Sequence, residues 1–132
     1  MPLSRGSLYR FNYLWSREYR RGEDSGRKGR PVCLVVRSTS SPAVLFLFPL
    51  TSREPPADVI ALPVDKKECR LADLRHPCWI VLEEYNRVDE NELYDFESLT
   101  PIGAFSPIFL KQVAATIKRA SELERLTGVP RS

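Results

Sequence analysis

Two short apolar runs, residues 31–37 (PVCLVVR) and 43–50 (AVLFLFPL), most constrain what this chain can fold into. Branched and aromatic residues dominate both runs, and only residues 38–42 (STSSP) separate them. Apolar runs of this composition, joined by a short polar link, are typical of a β-hairpin. We therefore expect a hairpin with both strands largely buried.

Three further segments have a strand pattern. Residues 7–15 are rich in aromatics and roughly alternate, residues 58–64 carry a proline that favours an edge or an end, and residues 78–88 begin with an apolar run. Residues 65–71 suffice for one helical turn. The acidic stretch 83–97 is expected to be a solvated strand end and loop. The alternatives are that it repels RNA from the wrong face or contacts a basic patch of a partner.

The C-terminal part of the chain predicts a helix that packs one face on the sheet. Ser106 followed by Pro107 combines a capping hydroxyl with a proline at the first helical position. Thr127-Gly128, with Pro130 beyond, is expected to close the helix. Between them an apolar stripe recurs at helical spacing, formed by Phe109, Val113, Ile117 and Ala120 and flanked by Leu110, Ala114 and Leu123.

These elements predict a fold that is mainly β with a C-terminal helix, a small and strongly bent sheet or partly open barrel. The 132 residues, 42% of them hydrophobic, suit one domain over residues 1–132, with a core at about 6–125. No stretch reaches the roughly 18 apolar residues of a membrane helix, and the N-terminus lacks an apolar signal core. We expect a cytoplasmic protein with no membrane partner and with its three cysteines as free thiols.

Charge is concentrated in one segment. The chain carries 20 Lys and Arg against 17 Asp and Glu, a net charge of +3. Residues 16–30 alone hold six basic residues against three acidic ones, so the rest of the chain is balanced. This segment is polar and contains three glycines, which predicts a long loop with a functional role.

The hairpin also predicts which residues meet at its open end. If the turn is centred between Ser40 and Ser41, antiparallel pairing joins positions whose numbers sum to 81, and Arg30 faces Thr51. A guanidinium beside a hydroxyl, next to a basic loop, suits a phosphate site. The plainer interpretation is a surface arginine at a strand start and a threonine at a strand end.

Five motifs, in this order, resemble the MazF/PemK/Kid family of toxin-antitoxin toxins from about residue 6 to residue 119. The most specific are the glycine-containing loop that ends in Arg-Pro and the Pro-x-Thr-Ser strand end. In this chain the motifs are Gly6-Ser7-Leu8-Tyr9, Gly26-Arg27-Lys28-Gly29-Arg30-Pro31-Val32, Pro49-Leu50-Thr51-Ser52, Leu71-Ala72-Asp73 and the helix start Ser106-Pro107.

The resemblance implies an SH3-like small barrel of the MazF/CcdB kind, usually a homodimer. It also implies a metal-independent and cofactor-free ribonuclease that cleaves single-stranded RNA, leaving a 2′,3′-cyclic phosphate and a 5′-hydroxyl. A cognate antitoxin would be the protein partner, and DNA would be met only indirectly through that antitoxin. The family's catalytic arginine and threonine fall on Arg30 and Thr51.

RNA-binding residues are expected around this pair. Arg27 and Lys28 are the best candidates for holding the RNA backbone, and Ser52 and Arg53 lie just beyond Thr51. The loop lacks the Glu-Gln that many relatives have before the glycines. The aromatic residues Tyr13, Trp15 and Tyr19 are candidates for base stacking, although Trp15 also fits a core or an interface.

Two other positions carry ionisable groups of interest. Asp73 matches the acidic position of the family's Ala-Asp-Gln segment, and it either touches a base or the catalytic residues or orders a turn. His76, beside Pro77, is either an acid/base group or a structural residue. The cysteines have no Cys-x-x-Cys spacing, so we expect no metal site.

Three functions are compatible with this sequence. The first is the toxin of a type II toxin-antitoxin system acting as an endoribonuclease. The second is a gyrase-inhibiting toxin of the same fold, and the third is a catalytically silent RNA- or protein-binding barrel. Activity at Arg30 and Thr51 discriminates among them.

Overall fold

The computed structural model describes residues 3–23 and 29–131. No helix in these two ranges is long and apolar enough to cross a membrane. The helices are α1 (Ser16–Arg20), α2 (Lys66–Leu71) and α3 (Pro107–Glu122). The strands are β1 (Ser7–Phe11), β2 (Arg30–Arg37), β3 (Val44–Thr51), β4 (Ala61–Val64), β5 (Cys78–Val81), β6 (Glu84–Asp89), β7 (Gly103–Ala104) and β8 (Thr127–Pro130).

The strands form one curled, mainly antiparallel sheet. Its path runs β4-β5-β3-β2-β1-β7. β6 pairs with the first half of β3 and β5 with its last two residues, and β8 lies parallel to β6. The sheet therefore bends into a half-barrel, and the predicted class, mainly β with a C-terminal helix, is confirmed.

β2 and β3 form the predicted hairpin, and its register changes along its length. Next to the turn Arg37 pairs with Leu45, so that the paired position numbers sum to 82. Towards the open end Leu34 pairs with Leu47, and the sum is 81. The shift falls at Val35, where a β-bulge adds one residue to β2.

The bulge corrects an error in the sequence-based register. The turn is centred on Ser41 and not between Ser40 and Ser41, which alone would have misaligned the open end by one residue. Because the bulge removes that offset, continuing the register beyond Val32 places Arg30 beside Thr51. The predicted meeting of these two residues therefore follows from two irregularities that cancel.

Alternate side chains of the hairpin and β1 enter two apolar clusters on opposite faces of the sheet. α3 covers the first face with Phe109 and Val113, so the prediction that this helix packs on the sheet is confirmed. Leu3, Leu93 and Phe96 help to cover the second face. The first cluster takes Leu8, Cys33 and Phe48, and the second takes Tyr9, Phe11, Val32, Leu34, Leu45 and Leu47.

The segment expected as one strand over residues 78–88 is divided into β5 and β6. Both pair with the same edge of β3, and Leu82 and Glu83 connect them at a bend. The expectation that the acidic stretch is solvated is wrong for β6, because this strand lies between β3 and β8. Asn86 is completely buried there, and Glu84 accepts hydrogen bonds from other parts of the chain.

α3 begins as predicted but is followed by a different structure. Ser106 Oγ accepts a hydrogen bond from the Phe109 N–H at 3.2 Å. Glu68 of α2 is buried and accepts from the backbone N–H of Ser106 at 2.9 Å and from its hydroxyl at 2.6 Å, which ties the two helices together. Thr127–Pro130 form strand β8 on β6 rather than closing the helix, which already ends at Glu122.

The N-terminal strand is also shorter than expected. β1 ends at Phe11, and the polar segment expected as a loop from residue 16 begins with helix α1. The side-chain amide of Asn86 accepts a hydrogen bond from the Leu14 N–H at 2.9 Å and donates one to the Leu14 carbonyl at 2.7 Å. This side chain takes the place of a ladder partner for Leu14, three residues beyond the end of β1.

Candidate functional site

A cleft of about 870 Å³ opens at the end of the hairpin where β2 begins and β3 ends. The predicted pair Arg30 and Thr51 line it together, as do Ser52, Arg53 and Asp73. Arg27 and Lys28, the expected RNA-backbone contacts, lie outside the described residues. The cleft therefore gathers every described residue of the predicted site.

Arg30 is half-buried at the first position of β2. Its Nη1 donates to the backbone carbonyl of Leu50 at 3.4 Å, and its Cζ lies 5.0 Å from the centre of the Trp15 ring. Burial lowers the pKa of Arg30, with a smaller lowering from Arg17, while Glu18 raises it. An arginine is a cation at neutral pH even so, because its ordinary pKa exceeds about 12.

Thr51 ends β3 with its hydroxyl in a local turn. Thr51 Oγ1 accepts from the Arg53 N–H at 3.2 Å and lies 3.4 Å from the Arg53 carbonyl. The backbone of Thr51 pairs with Trp79 of β5, so the residue is fixed from the neighbouring strand. A hydroxyl held in this way can still donate to or accept from a ligand in the cleft.

Asp73 reaches the cleft from the turn after α2. Its φ of +54° lies in the left-handed region, and its N–H donates to the Arg70 carbonyl at 3.3 Å. Asp73 therefore orders a turn, as one of the two sequence interpretations has it, and it also lines the cleft; contact with a base or with the catalytic residues stays a prediction. His76, three residues further on, is exposed and is not part of the lining.

The balance of charge in the cleft favours anions. Two lining residues form ion pairs with partners outside it, Arg10 with Glu97 at 3.3 Å and Glu83 with Arg125 at 2.9 Å. The other four arginines have no carboxylate partner among the residues described here. The lining arginines are Arg10, Arg17, Arg30, Arg53 and Arg75, and the carboxylates are Glu54, Asp73, Glu83 and Glu84.

The aromatic candidates separate by burial. Tyr13 is 2% exposed and cannot stack on a base. Its hydroxyl donates a hydrogen bond to Glu84 at 3.1 Å. Burial, and then the charge of Glu84, raise the pKa of Tyr13 well above the ordinary value. Tyr19 is 46% exposed on α1. Trp15 lines the cleft and packs edge-on against Tyr13, with ring centres 5.0 Å apart.

Some lining residues were not predicted from the sequence. Arg10 alternates outward from β1, a signal that was present in the pattern, whereas Arg75 enters the lining only through the turn after α2. The sequence places Glu84 in a stretch that is expected to be solvated. In the structure Glu84 accepts hydrogen bonds from residues 68 to 71 positions away, and no local sequence pattern predicts such contacts.

The cysteines stay apart from this chemistry. Cys33, Cys69 and Cys78 are free and buried. Burial raises the pKa of Cys78 to about 12, although the residue borders the cleft. A thiol with such a pKa is a poor nucleophile.

Fold and site together define a mainly β half-barrel with a C-terminal helix and an arginine-lined cleft at the open end of its hairpin. No model of a protein family matches the chain, and comparison with curated proteins gives no significant match either.

Proposed function

We propose that this protein is a metal-independent endoribonuclease that cleaves single-stranded RNA, the toxin of a type II toxin-antitoxin system with an SH3-like barrel of the MazF/CcdB kind. The observation that carries the proposal is the meeting of Arg30 and Thr51 in one cleft at the open end of the hairpin. The two residues are 21 positions apart in sequence, and the motif resemblance selects this same pair.

The chemistry of RNA cleavage suits these two side chains. The 2′-hydroxyl attacks the adjacent phosphorus, the P–O5′ bond breaks, and a 2′,3′-cyclic phosphate and a 5′-hydroxyl remain. Arg30 stabilises the extra negative charge on the phosphoryl oxygens, because a cation that is half-buried interacts more strongly with developing charge than one in bulk water. Thr51 orients the 2′-hydroxyl or holds a phosphoryl oxygen.

Proton transfer is the remaining requirement. The burial that lowers the pKa of Arg30 makes its guanidinium a better acid than a solvated one, which favours donation to the departing 5′-oxygen. The proton of the attacking 2′-hydroxyl passes to water in the open cleft, and Arg30 regains its own proton from solvent. No histidine lines the cleft within the described part of the chain. Arg53 and Arg75 then extend the cationic surface along the RNA backbone.

The proposal includes partners. A cognate antitoxin would block the cleft with an acidic segment, since the same unpaired arginines that attract phosphates attract carboxylates. Two copies of the chain would form a homodimer in the cytoplasm. DNA would be contacted only through the antitoxin.

The test is cleavage of a long single-stranded RNA by the pure protein in excess EDTA, with the new 5′ ends mapped. We expect discrete cuts with 5′-hydroxyl ends that Arg30→Ala and Thr51→Ala abolish. Arg119→Ala, an exposed arginine of α3 outside the cleft lining, is the matched control and should cut as the wild type does. Intact RNA with the wild type, or undiminished cutting by folded Arg30→Ala, would overturn the proposal.

A further inference from the structure

Trp15 supports the guanidinium of Arg30. The Cζ atom of Arg30 lies 5.0 Å from the centre of the indole, within the range of a cation–π contact. Arg17 lies at the same distance from this ring. The one polar contact of Arg30 among the described residues is the 3.4 Å hydrogen bond to the Leu50 carbonyl.

The segment that carries the indole is held by Glu84 of strand β6. Glu84 accepts hydrogen bonds from the Tyr13 hydroxyl, the Ser16 N–H and the Ser16 hydroxyl, at 3.0 to 3.2 Å. The backbone N–H of Trp15 donates to the carboxylate of Glu18 at 3.0 Å. Tyr13 and Ser16, the residues two before and one after the indole, are thus fixed by one carboxylate, and Trp15 by another.

This arrangement differs from the usual way of holding an arginine. A carboxylate would orient the guanidinium but would also neutralise its charge. An indole face attracts the cation through its quadrupole and leaves that charge in place. Five N–H donors are present on the guanidinium, and within residues 3–23 and 29–131 only the Leu50 carbonyl accepts from them, which leaves the others for a ligand.

We propose that Trp15 is a positioning residue that holds Arg30 charged and with its remaining N–H groups turned to a phosphodiester oxygen in the cleft. The nature of that anion, a phosphodiester of single-stranded RNA, rests on the proposed function. The contact between Trp15 and Arg30 and the retained charge of Arg30 do not depend on the proposed function. Glu84 acts indirectly, because it fixes the segment that carries the indole of Trp15.

The first experiment measures the contact without any substrate. In a Trp79→Phe background Trp15 is the sole tryptophan, and acrylamide quenching reports how open its ring faces are. Arg30→Met should raise the quenching constant of Trp15. Arg53→Met, which removes a cleft arginine that does not touch the indole, should leave it unchanged. Equal quenching in both variants would overturn the contact.

The second experiment measures binding of a 2′-O-methyl RNA oligonucleotide, which lacks the nucleophile and cannot be cut. Trp15→Phe keeps an aromatic face and should bind within about 2-fold of the reference, whereas Trp15→Leu should lose about 10-fold. Rescue by phenylalanine separates a cation–π role from simple filling of space. Circular dichroism confirms that both variants fold.

The outcomes separate this inference from the proposed function. If the wild type binds the oligonucleotide through Trp15 and Arg30 but leaves natural RNA intact, the endoribonuclease proposal fails and the positioning role stands. If Trp15→Leu binds the oligonucleotide and cuts RNA as the reference does, the positioning role fails while the endoribonuclease stands. Absence of oligonucleotide binding by the wild type overturns the positioning role, and absence of cutting of natural RNA overturns the endoribonuclease.

Discussion

The amide of Asn86 is the polar contact on which we base the sharpest stability prediction. Its Oδ1 accepts from the Leu14 N–H at 2.9 Å, and its Nδ2 donates to the Leu14 carbonyl at 2.7 Å. Asn86 is completely buried and Leu14 is 1% exposed, so water does not reach these groups in the folded protein. Asn86→Ala would leave a buried N–H and a buried carbonyl of the same residue without partners.

The expected cost follows from those two groups. A buried polar group that loses its partner costs about 1–3 kcal/mol. Two such groups bring the expected loss to about 2–6 kcal/mol, and we expect about 3 kcal/mol after some local relaxation. For a domain of this size that loss lowers the melting temperature by about 10 °C.

The assay is urea unfolding followed by circular dichroism, with thermal unfolding as a second measure. Asn91→Ala is the matched control, because Asn91 is exposed and uses only its backbone N–H, which donates to Asp89. The control should stay within about 0.5 kcal/mol of the wild type. A folded Asn86→Ala protein that is equally unaffected would refute the reasoning that the amide replaces a ladder partner for Leu14.

Three further predictions concern other parts of the molecule. Ser106→Ala removes the hydroxyl that caps α3 and also donates to buried Glu68, so it should lower the free energy of unfolding in urea by about 2–3 kcal/mol; no loss would contradict both contacts. Hydrogen bonds from the Ala43 N–H and from Arg37 lower the pKa of Glu90 in the folded state. Its stabilisation of the folded protein is therefore fully present above the unfolded-state pKa and is lost as the pH falls through the folded-state pKa. The melting temperature should therefore fall less steeply in Glu90→Gln than in the wild type as pH drops below about 5, and identical slopes would count against it. Because burial raises the pKa of Cys78 to about 12, about one thiol in ten thousand is ionised at pH 8, and mass spectrometry should find alkylation by iodoacetamide in urea but not in buffer.

Much of the architecture could be predicted because local patterns report it. The two runs that form β2 and β3, and the Ser106-Pro107 start of α3, carry composition and capping signals within a few neighbouring residues. Thr127-Gly128 and Pro130 carry a helix-end signal as well, yet they form β8. The parallel pairing with β6 is a contact between segments about 40 positions apart, which no local signal reports.

The site shows the same division. Arg30 and Thr51 were predicted to meet from the hairpin register, and the meeting holds because the bulge at Val35 offsets the displaced turn centre. A bulge depends on how both strands pack within the sheet. Neither its presence nor its position follows from the two runs themselves.

The sequence by itself determined the class of fold, the central hairpin, the start of the last helix and the two residues on which the proposed chemistry depends. Only the tertiary structure decided that Trp15 lies against Arg30, and that β6 is an inner strand whose Glu84 and Asn86 hold the segment carrying that indole. The physical reason is range. Strand and helix preferences arise between neighbours in sequence, whereas these polar contacts join residues about 70 positions apart and form only once the sheet has curled.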